Sequence, residues 1–241
     1  MKAFFEKIYK GTGQDFFTQI EKSLEQNEKR FIVTANPEAF MLGAKQPDLS
    51  KLLLDDMTTI IADGIGIVKG AEILGINITE RIPGVELAEH LLYCGDKLKK
   101  SIFLLGAKKD VIEAFCKKIE IKYPNLTIAG SCDGYCDDKD AVFESIKKLS
   151  PDIVLVALGM PYQEKLIYKH LNDFNKGIFV GVGGSFDVLS GCKKRAPQFF
   201  INHNIEWLYR IAKEPKRIKR FYNNNIKFLF EVKKIKKSGR K

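Results

Sequence analysis

The chain has 241 residues, 45% of them hydrophobic, and a formal net charge of +10. That is enough apolar material to bury one α/β core with an appendage, while the apolar runs are too short for a signal peptide or a membrane span, so a cytoplasmic protein is expected. The five cysteines, Cys94, Cys116, Cys132, Cys136 and Cys192, are odd in number and irregular in spacing, which argues against a secreted disulfide framework. Cys132 and Cys136 enclose three residues, one too many for a CxxC redox or zinc pair.

The charge is local. Residues 213–241 hold twelve Lys or Arg against Glu214 and Glu231, which accounts for the whole excess, and residues 1–212 balance 28 basic against 28 acidic side chains. A basic tail attracts polyanions, here anionic lipid headgroups, diphosphate or nucleic acid.

From about residue 30 onward, short β-rich runs alternate with helical patterns. Strands are predicted over residues 30–35, 58–62, 101–105, 126–130, 152–158 and 177–182, each with successive Val, Ile, Leu or Phe, as strands covered on both faces require. Helices are predicted over 85–98, 109–123 and 141–149, where apolar residues recur three and four apart, and Pro124-Asn125 and Ser150-Pro151 mark the returns to strand. The alternation predicts a Rossmann-like α/β fold, a mainly parallel sheet with helices on both faces, over residues 1–212. Residues 213–241 read as a basic amphipathic appendage. A helix of about 20 residues is expected from near Lys216, with Ile218, Phe221, Tyr222, Phe228, Leu229, Val232 and Ile235 as its stripe and Asn223 to Asn225 weakening its centre. Such a stripe is expected on an anionic membrane surface, with its own domain or a second copy in a homo-oligomer as the alternative. A chain ending near Arg210 is expected to stay folded.

Parallel sheets bind ligands where the carboxyl ends of their strands converge. Thr34-Ala35-Asn36-Pro37-Glu38, Asp63-Gly64-Ile65-Gly66, Gly106-Ala107, Gly159 to Glu164 and Gly181 to Asp187 all follow predicted strands. Glycines at 181, 183 and 184 let backbone N–H groups approach a phosphate, and serve tight turns equally well. The run is not GxGxxG, and the acid that should follow about 20 residues later is missing, which disfavours a nicotinamide dehydrogenase. Asp63 is a carboxylate opening from an apolar strand, readable as a general base or as a turn former. The sole DxD, Asp138-Lys139-Asp140, reads more simply as a helix start than as a metal clamp, so a site without metal or cofactor is expected. The histidines at 90, 170 and 203 are scattered over helical segments and suit surface or packing roles. The alternative, a nucleotide-binding module whose basic tail grips nucleic acid, lacks any RNP, helix-turn-helix or zinc signature, so no nucleic-acid partner is expected.

Taken together, the blocks carry a resemblance. The run Pro151 to Glu164, then Gly181-Val182-Gly183-Gly184-Ser185-Phe186-Asp187, Gly191 with Lys194-Arg195-Ala196-Pro197, Glu206-Trp207-Leu208-Tyr209-Arg210 and Glu214-Pro215-Lys216-Arg217 resembles the WecG/TagA/CpsF glycosyltransferases. Thr34 with Asn36-Pro37-Glu38, Asp63-Gly64-Ile65-Gly66 and Arg81-Ile82-Pro83-Gly84 resemble that family's upstream blocks, in order. Coverage runs from about Phe31 to Arg220. The resemblance implies inverting transfer, without metal, of N-acetylmannosamine or a related sugar from a UDP-sugar donor to a polyprenyl-diphosphate-linked GlcNAc acceptor. The work would serve teichoic acid, common antigen or capsule synthesis, with the enzyme peripheral on the inner face of the bacterial membrane. Asp63 matches the family's base, and Thr34, Asn36, Arg81 and Gln163 match pocket positions. Gly181, Gly183, Gly184 and Asp187 belong to the same ligand edge. Arg210, Arg217 and Arg220 are the cations expected to offset the leaving diphosphate, and Tyr135 is an aromatic that suits either the uracil or simple packing. Met160 and Tyr162 depart from many relatives and bear on donor identity.

Overall fold

A computed structural model describes residues 1–215, 218 and 222–238 of the chain. Among them, six strands form one sheet: β1 Lys29–Ala35, β2 Thr58–Ala62, β3 Ser101–Gly106, β4 Thr127–Cys132, β5 Ile153–Ala157 and β6 Gly177–Gly181. They lie in the order β2-β1-β6-β5-β3-β4, and every neighbouring pair is parallel. All six carboxyl ends therefore open on one edge, the Rossmann-like arrangement expected from the alternation.

The helices are α1 Lys2–Glu6, α2 Gly13–Glu25, α3 Pro37–Gly43, α4 Pro47–Leu54, α5 Ile65–Leu74, α6 Gly84–Lys97, α7 Lys109–Lys122, α8 Lys139–Leu149, α9 Tyr162–His170, α10 Ser185–Leu189, α11 Gln198–Asn202, α12 Glu206–Lys213 and α13 Lys227–Ser238. Alternation along each strand sorts them into two layers. Phe31, Val33, Phe103, Val154 and Phe179 face a core shared with α1, α3, α4, α5, α8, α9 and α13; Ile32, Ile102, Leu104, Leu155 and Val180 face α2, α6, α7 and α10. Successive strand residues are thus buried on opposite faces, which explains the unbroken apolar runs of β5 and β6.

Two elements differ from expectation. Strand β4 runs to Cys132, beyond the expected 130, and its residues are exposed or half-buried throughout. It is the outer strand next to β3, so one side lacks a neighbour and its sequence carries less apolar signal. Helix α8 begins at Lys139, two residues before the expected start, because Asp138 accepts a hydrogen bond from the Ala141 N–H at 2.9 Å and caps it. That gives the DxD segment a structural task, and Asp140 turns instead to Lys169 at 2.8 Å and His170 at 2.6 Å.

The end of the chain also differs. The α-helix starts at Lys227, after a π-helical turn over Tyr222–Ile226 that contains the three asparagines. Residues 216 and 217 of the expected helix, and Phe221 of its stripe, lie outside the described residues. The remaining stripe divides. Phe228 and Val232 are fully buried, whereas Ile218 and Tyr222 are exposed. Phe228 stacks on Phe5 with ring centroids 5.9 Å apart and meets Phe40 at 6.5 Å. Gly70 of α5 lets these rings close in, since a Cβ there would lie 2.8 Å from Phe5 and 3.0 Å from Phe228. Helix α13 thus completes the layer built on β1 and β2, and a chain cut near Arg210 would bare Phe5 and Phe40.

Emptying this contact is therefore expected to be costly. Phe228→Ala should destabilise the protein by about 3–5 kcal/mol, the usual range for deleting a buried phenyl ring. Thermal denaturation should show Tm lower by about 10 °C. An unchanged Tm would place α13 outside the cooperative fold.

Candidate active site

The edge at the strand ends is assembled from the loops that follow the six strands. At its β2 end, the Asp63 N–H donates to the Ala35 carbonyl at 2.9 Å, continuing the strand pairing by one residue. Its Oδ1 accepts from the Gly84 N–H at 2.7 Å, so the first residue of α6 fixes the carboxylate. Gly84 must be small, because a Cβ would lie 3.1 Å from Thr34 Cγ2. Asp63 and Thr34 therefore converge on one glycine. Asn36 borders the same place, 3.9 Å from the position a Gly64 Cβ would take, and its Oδ1 caps α3 by accepting from the Ala39 N–H at 3.1 Å. Arg81 is half-buried in the loop that leads into α6. Across the edge, Asn225 of the π-helical turn reaches over, its Oδ1 3.2 Å from the position a Gly66 Cβ would occupy.

In the middle, Thr34 is buried and its hydroxyl donates to the Gly181 carbonyl at 2.9 Å, pinning the end of β1 to that of β6. Gln163, in the first turn of α9, is also buried. Its Oε1 accepts from the Gly159 N–H at 2.9 Å and the Gly183 N–H at 3.2 Å, and its Nε2 donates to Glu164 Oε1 at 2.7 Å. The amide is thus spent on the protein itself, tying the loop after β5 to the loop after β6. Gly159 and Gly183 both have positive φ, +85° and +49°, which a side chain would strain.

Glu164 is a residue that the sequence reading passed over. It is fully buried, and Oε2 has no hydrogen-bond partner. Burial pushes its pKa up to about 7, against the opposing pull of hydrogen bonds from Gln163 and the backbone. A glutamate beside a glutamine in the first turn of a helix ordinarily reads as a solvated acid, so no pattern in the sequence marked it.

Toward β4, an open cavity of about 570 Å³ is lined by Ala107, Lys108, Gly134, Tyr135, Leu158, Asp187 and Lys193, among others. Tyr135 is 73% exposed, on a turn held by its N–H donating to Asp133 Oδ1 at 2.7 Å. Gly134 N–H donates to the Ala107 carbonyl at 2.8 Å, bringing the loops after β3 and β4 together. Asp187 pairs with Lys193 at 3.1 Å. Lys108 and Lys193 stand here against Asp110 and Asp187, so the lining is formally balanced, and neither lysine was singled out from the sequence. Gly183 and Gly184 leave open space where a Cβ would stand. Further along, Arg195 meets Glu86 of α6 at 2.6 Å and anchors the segment after α10.

The structure therefore gathers Thr34, Gln163, Gly181 and Gly183 into one bonded group, sets Asp63 and Asn36 at one side of it, and puts Tyr135 and Asp187 on the cavity at the other. Arg217 and Arg220 lie outside the described residues, as does the side chain of Arg210 on α12. Two clusters elsewhere bring possible metal ligands together, Glu21 with His90 and Cys94, and Glu144 with His170 and Asp173. Neither stands at the strand-end edge. His90 contacts the Phe17 carbonyl at 3.1 Å, and His170 contacts Asp140 at 2.6 Å. Among the described residues no helix is long and apolar enough to cross a membrane.

Comparison with known proteins identifies the family. Residues 4–241 match the model of the glycosyl transferase WecG/TagA/CpsF family. A Bacillus subtilis (strain 168) protein named N-acetylglucosaminyldiphosphoundecaprenol N-acetyl-beta-D-mannosaminyltransferase is 42% identical over 206 residues, 85% of this chain and 80% of that one. Proteins of the same name from Bacillus spizizenii and Staphylococcus aureus (strain MW2) are 41% and 39% identical, the latter over 88% of this chain and 82% of its own.

The raised pKa of Glu164 has a stability consequence with a definite sign. The folded state favours the protonated acid, so no penalty exists below the ordinary carboxyl range near 4.5; it grows as pH rises and is complete above about 7. A displacement of that size corresponds to about 3 kcal/mol. Glu164→Gln removes the ionisation, so its Tm relative to wild type is expected to rise by several degrees between pH 4.5 and pH 8. Parallel melting curves across that range would refute the burial effect.

Proposed function

Because the chain belongs to the WecG/TagA/CpsF family of glycosyl transferases, we propose that it moves N-acetylmannosamine, or a closely related sugar, from a UDP donor to a polyprenyl-diphosphate-linked GlcNAc acceptor. The acceptor follows from the names of the relatives, and the surface polymer built on it is of the teichoic acid class. The observation that carries the reading is the separation along one edge of a fixed carboxylate and an open cavity bordered by Tyr135 and two lysines. Asp63 ends β2, the cavity begins at β5, and three strand spacings of about 4.8 Å put roughly 14 Å between them. That span suits a nucleotide seated in the cavity with its sugar reaching toward β6 and β1.

The chemistry follows from what each group offers. The uracil lies against Tyr135, whose exposed ring presents a face to it. The diphosphate meets the open backbone at Gly183 and Gly184, with Lys108 and Lys193 nearby to offset its charge. On the sequence resemblance, Arg210, Arg217 and Arg220 are assigned to the same diphosphate. The acceptor hydroxyl approaches the anomeric carbon from the Asp63 side, opposite the nucleotide, so the configuration inverts. As the new glycosidic C–O bond forms and the bond to UDP breaks, Asp63 takes the hydroxyl proton. Gly84 keeps the carboxylate aimed, so no reorganisation is needed at that moment. Arg81 and Asn36 border the same space and orient the acceptor sugar. No metal is required in this scheme, since side-chain cations carry the diphosphate.

A lipid-linked acceptor brings the enzyme to a membrane. Ile218 and Phe230 expose apolar surface within the stretch that holds the excess of Lys and Arg, and Phe199, Trp207 and Leu208 do so just before it. This pairing of apolar side chains with basic charge fits peripheral binding to anionic lipid on the cytoplasmic side.

Two outcomes are expected. Asp63→Asn should lower kcat by about 10²- to 10⁴-fold while UDP affinity and Tm stay near wild type, because an amide keeps the turn but cannot take a proton. UDP release with a GlcNAc-diphosphate-lipid acceptor measures it, and near-normal turnover would remove Asp63 from the mechanism. The same assay should be unaffected by EDTA. Loss of activity on chelation, restored by Mg²⁺ or Mn²⁺, would require a metal and a different account of the diphosphate.

A further inference from the structure

Gln163 presents a constraint that its neighbour resolves. The Gly159 and Gly183 N–H groups are both donors on one side of its amide, so the oxygen must face them, and the NH₂ is turned into a buried space. A buried NH₂ without an acceptor is costly, and a flipped amide would set three donors against one another. Glu164 Oε1, 2.7 Å away, is the acceptor. Both side chains lie directly over Gly181, where a Cβ would come within 2.6 Å of Gln163 Nε2 and 2.7 Å of Glu164 Oε1. The same Gly181 receives the Thr34 hydroxyl on its carbonyl.

We propose that Glu164 is a positioning residue for the transfer reaction: buried out of reach of substrate, it dictates which way the Gln163 amide faces, and through it holds the Gly159 and Gly183 loops in the shape that receives the donor. A carboxyl kept in such a place at the cost of an unpartnered Oε2 has a task other than stability, since an apolar side chain of equal length would avoid that orphaned oxygen. The task needs an acceptor oxygen and no charge. Burial, which favours the neutral acid, is compatible with it. The loop after β5 reaches the cavity through Leu158, and the loop after β6 leads into α10, whose Asp187 stands on the cavity wall, whereas Asp63 is held separately by Gly84. Loss of Glu164 should therefore weaken donor binding and spare the proton transfer, the reverse of the Asp63→Asn pattern.

The proposal rests on the reading of the edge as a donor site, so one arm of the test needs no substrate. Amide hydrogen exchange at Gly159 and Gly183 is measured in the free protein for wild type, Glu164→Met and Glu164→Gln. Met keeps the length and removes the acceptor; Gln keeps an acceptor oxygen and removes the acid. Exchange at both glycines is expected to quicken by at least about tenfold in Glu164→Met, the loss of one buried hydrogen-bond anchor, and to stay near wild type in Glu164→Gln. In the transfer assay, Glu164→Met should raise the donor KM by about tenfold with kcat changed far less, and Glu164→Gln should restore KM. Unchanged exchange in Glu164→Met overturns the proposal, as does a Glu164→Gln protein that loosens both glycines as much as Met does. If Glu164→Met does not fold, Glu164→Asp, which withdraws the oxygen from Gln163, is read by the same two measures. A wild-type protein that turns over no UDP-sugar defeats the proposed function, while the exchange arm still decides whether Glu164 sets these loops.

Discussion

A side chain at Gly181 would collide with Gln163 and Glu164, and the middle of the ligand edge is built around that gap. With no Cβ there, α9 settles its first turn onto the end of β6, and the Gln163 amide reaches the backbone of two loops at once. The Gly181 carbonyl, on the same residue, anchors Thr34. Three strands, β1, β5 and β6, are thus locked together at their carboxyl ends by side chains, beyond the backbone pairing that joins them elsewhere. The flanking parts of the edge, Asp63 on one side and the cavity on the other, inherit their relative placement from this block. A transferase needs such rigidity, because an error of an ångström between base and reacting carbon is enough to lose much of the rate.

Much of this was legible in the sequence, for a physical reason. Strands buried on both faces must be apolar at consecutive positions, so β1, β2, β3, β5 and β6 announced themselves within a residue or two. The outermost strand β4 is half-exposed, its pattern is diluted, and its end was misjudged. The strand-end placement of Asp63, Thr34, Asn36 and Gln163 was legible because each lies at or just after an apolar run, within ordered blocks. What escaped detection depends on contacts distant in sequence. The burial of Glu164 is decided by Gly181, 17 positions away, and Lys108 and Lys193 meet at the cavity only after the sheet has formed. Gln163, expected to line the pocket, is committed to its own loops, a fact that residue type alone does not disclose.

The C-terminal stretch shows the same limit in another form. Its periodicity announced an amphipathic helix, but period alone does not say what the apolar face meets. Phe228 and Val232 meet the core, while Phe230 on the same helix is exposed among lysines. One helix thereby does two jobs: a buried stripe fixes it to α5, and the remaining surface keeps the charge in solvent. Aromatic packing docks this segment on the core, and Asn225 of its π-helical turn comes up against Gly66 in the first turn of α5.

The strand order carries a consequence for how the protein is made. Strand β1 pairs with β2 and β6 only, and β5 with β3 and β6 only, so the sheet consists of two halves that share β6 as their sole link. During synthesis the first five strands emerge as a β2-β1 pair and a β5-β3-β4 trio, each with an unpaired apolar edge. Both edges stay vulnerable to pairing with other chains until residue 181 has left the ribosome. The newborn polypeptide must therefore wait, shielded or simply dilute, for its keystone. Since Gly181 belongs to that last strand, the strand-end edge is completed in the same event that makes the nascent chain safe from aggregation.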